Sequence, residues 1–295
     1  MLFDRKAGLM KPWLELLKLR ITVASTVTTL VGYVMARGQV DLPVLPVLAG
    51  IMLQACGAAA LNQVQDAAVD NRMPRTAGRP IPSGRVGSGA ALLYSLLLLA
   101  GGSALLWTVS STAAYLGLAA AVVYNGIYTP LKRVTPFAAL PGSFIGALPP
   151  AVGWVAAGGY LSDPTLHLVM FFFFLWQIPH FWLLLLFYEK DYADGGMPSL
   201  FDRFDRKQIV RLTFVWIAAV CVAALMIPLA ALFDHKPAAW VIAAAGLLVI
   251  VRAASLMKMD AEVLAPFVKS CRIRFMEINT FALLVSVVLV IDSLI

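Results

Sequence analysis

Long apolar runs alternate with short polar intervals along this chain. About nine runs are long enough to cross the ~30 Å hydrocarbon layer of a bilayer as helices. They lie roughly at residues 20–37, 43–66, 89–109, 112–130, 136–158, 165–188, 209–232, 237–257 and 275–294. The runs are too long for barrel strands and lack a period of two. The pattern predicts an all-α polytopic membrane protein, read as a single transmembrane domain over residues 1–295.

The polar intervals are unequal. Residues 62–88 and 189–208 are the long, charged ones, and each opens with acidic residues at a helix end. One follows the second run and the other the sixth. That separation predicts a repeat of about four helices, with two related loops meeting at one mouth.

Composition sharpens this picture. With 61% hydrophobic residues, 13% charged residues and a mean hydropathy of +0.84, the chain is not a soluble globular domain. If the N-terminus is cytoplasmic, the outer loops hold only Arg37 and Lys236 of the 23 Lys and Arg residues. The positive-inside rule then fixes the topology, and an odd number of spans puts the C-terminus outside. The net charge of +7 and the pI near 9.5 follow from loops facing anionic lipid, so nucleic acid is not implied. Asp4 and Glu15 argue against an acid-poor mitochondrial transit peptide, and 20–37 reads as a first span rather than a signal peptide. Cys56, Cys221 and Cys271 are isolated, without metal spacing, and read as packing residues.

The chemistry concentrates in "NQVQDAAVDNRMPRTAGRP", residues 62–80. Asn62, Asp66 and Asp70 are spaced i, i+4 and i+8, which puts them on one helix face. Two carboxylates one turn apart repel, by about 0.2–0.5 kcal/mol even in water, so a cation belongs beside them. Mg²⁺ suits this: it is commonly held by one or two carboxylates together with substrate phosphates. Arg72, Arg75 and Arg79 follow at once, and guanidinium forks match phosphate oxygens. Acid, metal and arginine in one small volume make a diphosphate site; the plainer alternative is a loop whose Asp and Arg residues pair only with each other. In the second loop Asp191 and Asp194, with Glu189 near, could hold a second Mg²⁺ or the far side of the same diphosphate. "YNGIYTPLKR" spaces Tyr124, Tyr128 and Lys132 one turn apart, either as a phosphate-binding edge or as an interfacial aromatic with a snorkelling lysine. A diphosphate at the mouth of an apolar bundle suggests a lipid-linked substrate.

These residues carry a resemblance. "NxxxDxxxD" at 62–70, YxxxK at 128–132 and the aspartate loop after the sixth run resemble the intramembrane UbiA-type prenyltransferase superfamily. Within it, "NRMPRTAGRPIPSG", "YTPLKRVTPF", "IGALPPAVGW" and "FLWQIPHFW…KDY" resemble the protoheme IX farnesyltransferase family, over about residues 13–290. The resemblance implies nine helices around a central cavity, open sideways to lipid and capped by cytoplasmic loops. It implies a Mg²⁺-dependent bacterial inner-membrane enzyme that transfers the farnesyl group of farnesyl diphosphate to a vinyl group of heme B, giving heme O. A downstream heme A synthase would be a partner. Carried over by position, Asn62, Asp66 and Asp70 form the first metal–diphosphate motif and Asp191 belongs to the second. Arg72, Arg75, Arg79, Tyr128 and Lys132 would bind diphosphate. The departures are Leu19 in "LKLR", where the family usually has proline, Ser199 at a usually apolar position, and Asp194, less typical than Asp191.

His180, in "WQIPH", is an ionisable residue on the sixth run beside Pro179, which removes a backbone donor. It reads as an axial heme ligand, as a base that holds water together with Gln177, or as a histidine bonded to the backbone that the proline frees. Two rival functions share parts of the pattern. A prenyltransferase acting on an aromatic or quinone precursor would have the same aspartate loops. A transporter would place ionisable groups near mid-membrane, whereas here they cluster at helix ends.

Overall fold

The structure is a computed structural model that describes residues 10–230, 236–259 and 263–295; Asp4 and the predicted end of the seventh span lie outside them. The helices are α1 (Leu19–Arg37), α2 (Val44–Asp70), α3 (Ser88–Trp107), α4 (Ser111–Ala121), α5 (Phe144–Ala156), α6 (Pro164–Phe187), α7 (Arg206–Ala230), α8 (Lys236–Ala254) and α9 (Leu264–Leu294). Among the described residues, eight helices are long and apolar enough to cross a membrane. The protein is a polytopic α-helical membrane protein.

Local chemistry sets the helix ends. Asp163 caps α6 by accepting from the Thr165 amide at 2.8 Å, with Pro164 at the first helical position, where a missing N–H costs nothing. Ser110 caps α4 in the same way through Ala113. Gly38 ends α1 in the left-handed conformation, φ 68°, returning its amide to Val34.

Two departures from the predicted spans have physical causes. The fourth run is helical through residue 131 but passes into π geometry over Val122–Tyr128, so its α-helical part is 11 residues, shorter than a span. The ninth helix begins at Leu264, not near 275, and runs 31 residues. Hydropathy rejects its first turns because Lys269, Arg272 and Arg274 lie there. The backbone continues regardless, and Glu277 pairs with Arg274 and with Arg252 of α8.

Each helix packs on the next, and α9 packs back on α1, closing a ring. Its two larger apolar clusters lie mainly on opposite sides, with smaller ones around Leu16 and Ala60 and around Ala151, Trp154 and Leu166. Of the two, one joins Tyr33, Val47, Leu106, Ala114 and Val152 of α1–α5; the larger joins Phe172, Ile178, Ile217, Phe267 and Phe281 among residues of α6–α9. α1 and α5 approach closely: a Cβ on Gly153 would stand 1.9 Å from the Thr29 carbonyl oxygen, and one on Gly32 1.9 Å from the Pro150 carbonyl oxygen. Small residues let backbones touch in this way where lipid removes the hydrophobic drive for association.

Candidate active site

Asn62, Asp66 and Asp70 line the end of α2 and are 2%, 5% and 4% exposed. Carboxylates this buried require partners, and each has them. Asp66 Oδ2 accepts from Asn62 Nδ2 at 2.9 Å and from Lys132 Nζ, and its Oδ1 accepts from Arg133 Nη2 at 3.1 Å. Asp70 takes Arg79 Nη1 on both oxygens, at 2.8 and 2.7 Å. Asn62 Nδ2 also donates to Thr129 Oγ1 at 2.9 Å, and its Oδ1 accepts from Lys18 Nζ at 2.9 Å. The predicted face is real, and it is sheathed in cations.

The first loop folds back over this face. The Thr76 hydroxyl donates to the Asp70 carbonyl at 3.0 Å. Arg85 clamps the loop to Glu15 with two bonds, 3.1 and 2.7 Å, holding the Glu15 carboxyl below its ordinary range. The second loop, led by the short helix Glu189–Asp194, meets the first as the repeat predicts. Arg75 Nε donates to Asp191 Oδ2 at 3.0 Å, and its guanidinium lies 4.8 Å from the centre of the Tyr188 ring. Met73 fills the space beside Gly195, whose Cβ would stand 2.1 Å from the methionine methyl. Lys11, Glu15, Lys18, Arg75 and Arg79 are among the residues lining a cleft of roughly 780 Å³ here.

The π segment builds the third wall. Its Asn125 donates to the Ala58 carbonyl at 3.0 Å and to Gln65 Oε1 at 3.1 Å, seating the segment on α2. π-turns recur at functional sites because they re-aim side chains within a helix. Tyr128 stacks between Tyr124 and Phe181, at 6.0 and 5.9 Å between ring centres, with Lys132 Nζ 5.5 Å from the Tyr128 ring centre. Lys132 thus reaches Asp66 from beside an aromatic pillar.

Not every predicted residue joins. Arg72 is exposed, and Asp194 is exposed at the end of its short helix; neither has a polar partner among the described residues. Glu189 pairs with Arg206 at 2.8 Å. Among the described residues no three His, Cys, Asp or Glu side chains form a protein-only metal cage. Asp66 and Asp70 share α2, and Asp191 is tied to the first loop through Arg75.

His180 lies on α6 within a ring cluster: Phe275 at 4.7 Å, Trp176 at 4.9 Å and Phe181 at 5.7 Å. Its Nδ1 stands 3.0 Å from Asn279 Oδ1, while Asn279 Nδ2 donates to the Phe275 carbonyl. Because Asn279 presents its oxygen, the hydrogen-bond network assigns the proton to Nδ1 and leaves Nε2 with a lone pair. The partner is a side chain of α9 rather than backbone freed by Pro179. Gln177 points elsewhere, packing against Gly146 of α5. The expected sharing of one water by His180 and Gln177 is therefore not supported by their settings.

The chain matches the UbiA prenyltransferase family over residues 25–276. It belongs to that family. This UbiA-family chain is 36% identical over 280 residues to a protoheme IX farnesyltransferase of Nitratidesulfovibrio vulgaris strain Hildenborough, covering 95% of this chain and 94% of that protein. It is 32% identical over 230 residues to the protein of that name from Geobacter sulfurreducens, covering 78% and 85%. Among solved structures, a digeranylgeranylglyceryl phosphate synthase superposes with a TM-score of 0.78 at 16% identity, over 97% of this chain and 99% of that one. A UbiA homologue from Archaeoglobus fulgidus bound to GPP and Mg²⁺ gives 0.70 at 15% identity, over 92% and 99%. These structural likenesses establish the shared fold.

Four partners in the UbiA-family site escaped the sequence reading. Thr129 and Arg133 sit inside "YTPLKR", where only the tyrosines and Lys132 were singled out. Lys18 sits in "LKLR", noticed only for Leu19. Asn279 carried no signal, since one asparagine on a long helix has many uses.

Proposed function

We propose that this chain transfers the farnesyl group of farnesyl diphosphate to a vinyl group of heme B, with addition of water, releasing heme O and diphosphate. The observation that carries the chemistry is the buried Asn62–Asp66–Asp70 face ringed by Arg79, Lys132 and Arg133 at one end of an apolar helical ring. The choice of substrates rests on the protoheme IX farnesyltransferases that align along nearly the whole chain.

The residues fit Mg²⁺. Their donors are hard carboxylate and amide oxygens, and this ion usually takes one or two carboxylates plus phosphate oxygens rather than a complete protein cage. Asp66 and Asp70 would hold it, with Asp191 on the second loop, while Asp194 stands apart. When bound, Mg²⁺ supplies positive charge to the diphosphate as it leaves. Arg79, Lys132 and Arg75 bind the phosphate oxygens and stabilise the same charge.

Breaking the allylic C–O bond yields a farnesyl cation, which needs surroundings free of water until it meets the vinyl group. The terminal vinyl carbon attacks, positive charge moves to the inner carbon beside the pyrrole, and water closes the sequence by adding there and losing a proton. We assign to His180, whose Nδ1 is engaged by Asn279, the holding of that water or of the heme iron.

The same reading places the protein in a bacterial inner membrane, with the N-terminus and both aspartate loops cytoplasmic and the C-terminus outside. The charge asymmetry of the loops supports this. The product would pass to a heme A synthase. The test is purified protein with heme B, farnesyl diphosphate and Mg²⁺, and mass spectrometry of the porphyrin. Farnesylation of an aromatic acid or quinone precursor, without any Soret change on adding heme, would replace this reading.

A further inference from the structure

Lys18 occupies a position that local chemistry disfavours twice. It precedes α1 with φ 48° and ψ 48°, the one non-glycine residue of positive φ among the described residues. Its Cβ strains that left-handed conformation. It also puts a cation at a helix N-terminus, where the backbone dipole favours an anion. Backbone strain of this kind persists where surrounding structure imposes it, often at functional sites.

The side chain is under-partnered. An ammonium has three donors, and this one uses a single bond, to Asn62 Oδ1 at 2.9 Å. It makes no ion pair with a described carboxylate; Asp66 and Asp70 are already taken by Lys132, Arg133 and Arg79. The residue is half-buried on the wall of the cleft. Lys18, Arg79 and Lys132 gather at the polar end of the Asn62–Asp70 face, on Asn62, Asp70 and Asp66 respectively. Such a group of cations is completed by an anion.

We infer that Lys18 is an additional ligand of the diphosphate group, reaching it from the α1 side of Asn62 beside Arg79 and Lys132. This rests on the diphosphate reading above and adds a residue to it. A bound diphosphate supplies acceptors for the idle donors, brings negative charge to the three cations and sits favourably near the start of α1. The left-handed backbone is the device that aims the side chain at Asn62.

The experiment is calorimetric titration of the full-length protein in detergent with inorganic diphosphate and Mg²⁺. Wild type is compared with Lys18→Gln and Lys18→Gly. Glutamine keeps a donor toward Asn62 without the charge, and glycine relaxes the backbone. Both variants should bind diphosphate about 10- to 100-fold more weakly, the range expected for one lost charge-assisted contact. Lys18→Gly should melt at or above the wild-type temperature. Affinity within twofold of wild type in folded Lys18→Gln overturns the ligand role of Lys18 while leaving the site intact. Failure of the wild type to bind diphosphate overturns the site reading itself.

Discussion

Replacing Asp66 by asparagine probes the centre of the proposed mechanism at constant side-chain volume. Two oxygens of Asp66 serve three donors, from Asn62, Lys132 and Arg133. Asparagine removes the negative charge and leaves two cations facing each other. Lys132 keeps 19% side-chain exposure and Arg133 40%, so water screens part of that repulsion. The folding cost is therefore about 1–3 kcal/mol, below the ~3–5 kcal/mol of breaking a fully buried pair. Catalysis loses more. One preorganised group acting on developing charge is worth about 3–4 kcal/mol. Here an anchor for Mg²⁺ and the position of Lys132 go together, so kcat should fall by about 10³-fold or more. Turnover to heme O, followed by chromatography and mass spectrometry across a Mg²⁺ titration, measures the loss. Tryptophan-fluorescence melting shows that the variant is folded. Asp194→Asn is the control, because Asp194 is exposed and has no partner among the described residues, and it should stay within about threefold of wild type. An Asp66→Asn enzyme that keeps more than a tenth of the Mg²⁺-dependent turnover refutes the assignment.

Turnover in ¹⁸O-water should put the label in the product hydroxyl, and His180→Ala should depress hydroxylated product more than diphosphate release. Unchanged product yield in that variant removes His180 from the chemistry. Cysteine introduced at Ser83 or Ser162, both exposed, should react with an impermeant reagent added outside cells only at position 162; labelling at 83 alone inverts the topology. Gly153→Ala should lower the melting temperature, because the new methyl would stand 1.9 Å from the Thr29 carbonyl oxygen and 2.7 Å from the Tyr33 amide. The cost should be about 1–3 kcal/mol or more, as for overpacked cores, and a melting curve matching wild type would show that α1 and α5 separate freely.

Hydropathy alone determines that this chain is a bundle of membrane helices, because a bilayer forces backbone polar groups into long intramolecular ladders. The acid face was equally legible: residues four apart on a helix share a side whatever surrounds them, and Asn62, Asp66 and Asp70 do so. The meeting of the two charged loops was foreseen from their spacing and is realised through Arg75 and Asp191. Tertiary structure decided which charges pair. Arg79 rather than Arg72 grips Asp70, and Arg133 joins Lys132 on Asp66, because the fold of the first loop and the π segment aim them there. It also decided that Lys18 and Asn279 matter, residues 44 and 99 positions from the partners they touch. Periodicity reports neighbours within one helix, where geometry is fixed by the backbone. Contacts between helices depend on where glycines let backbones approach and on how each loop turns, and a one-dimensional pattern does not hold that information.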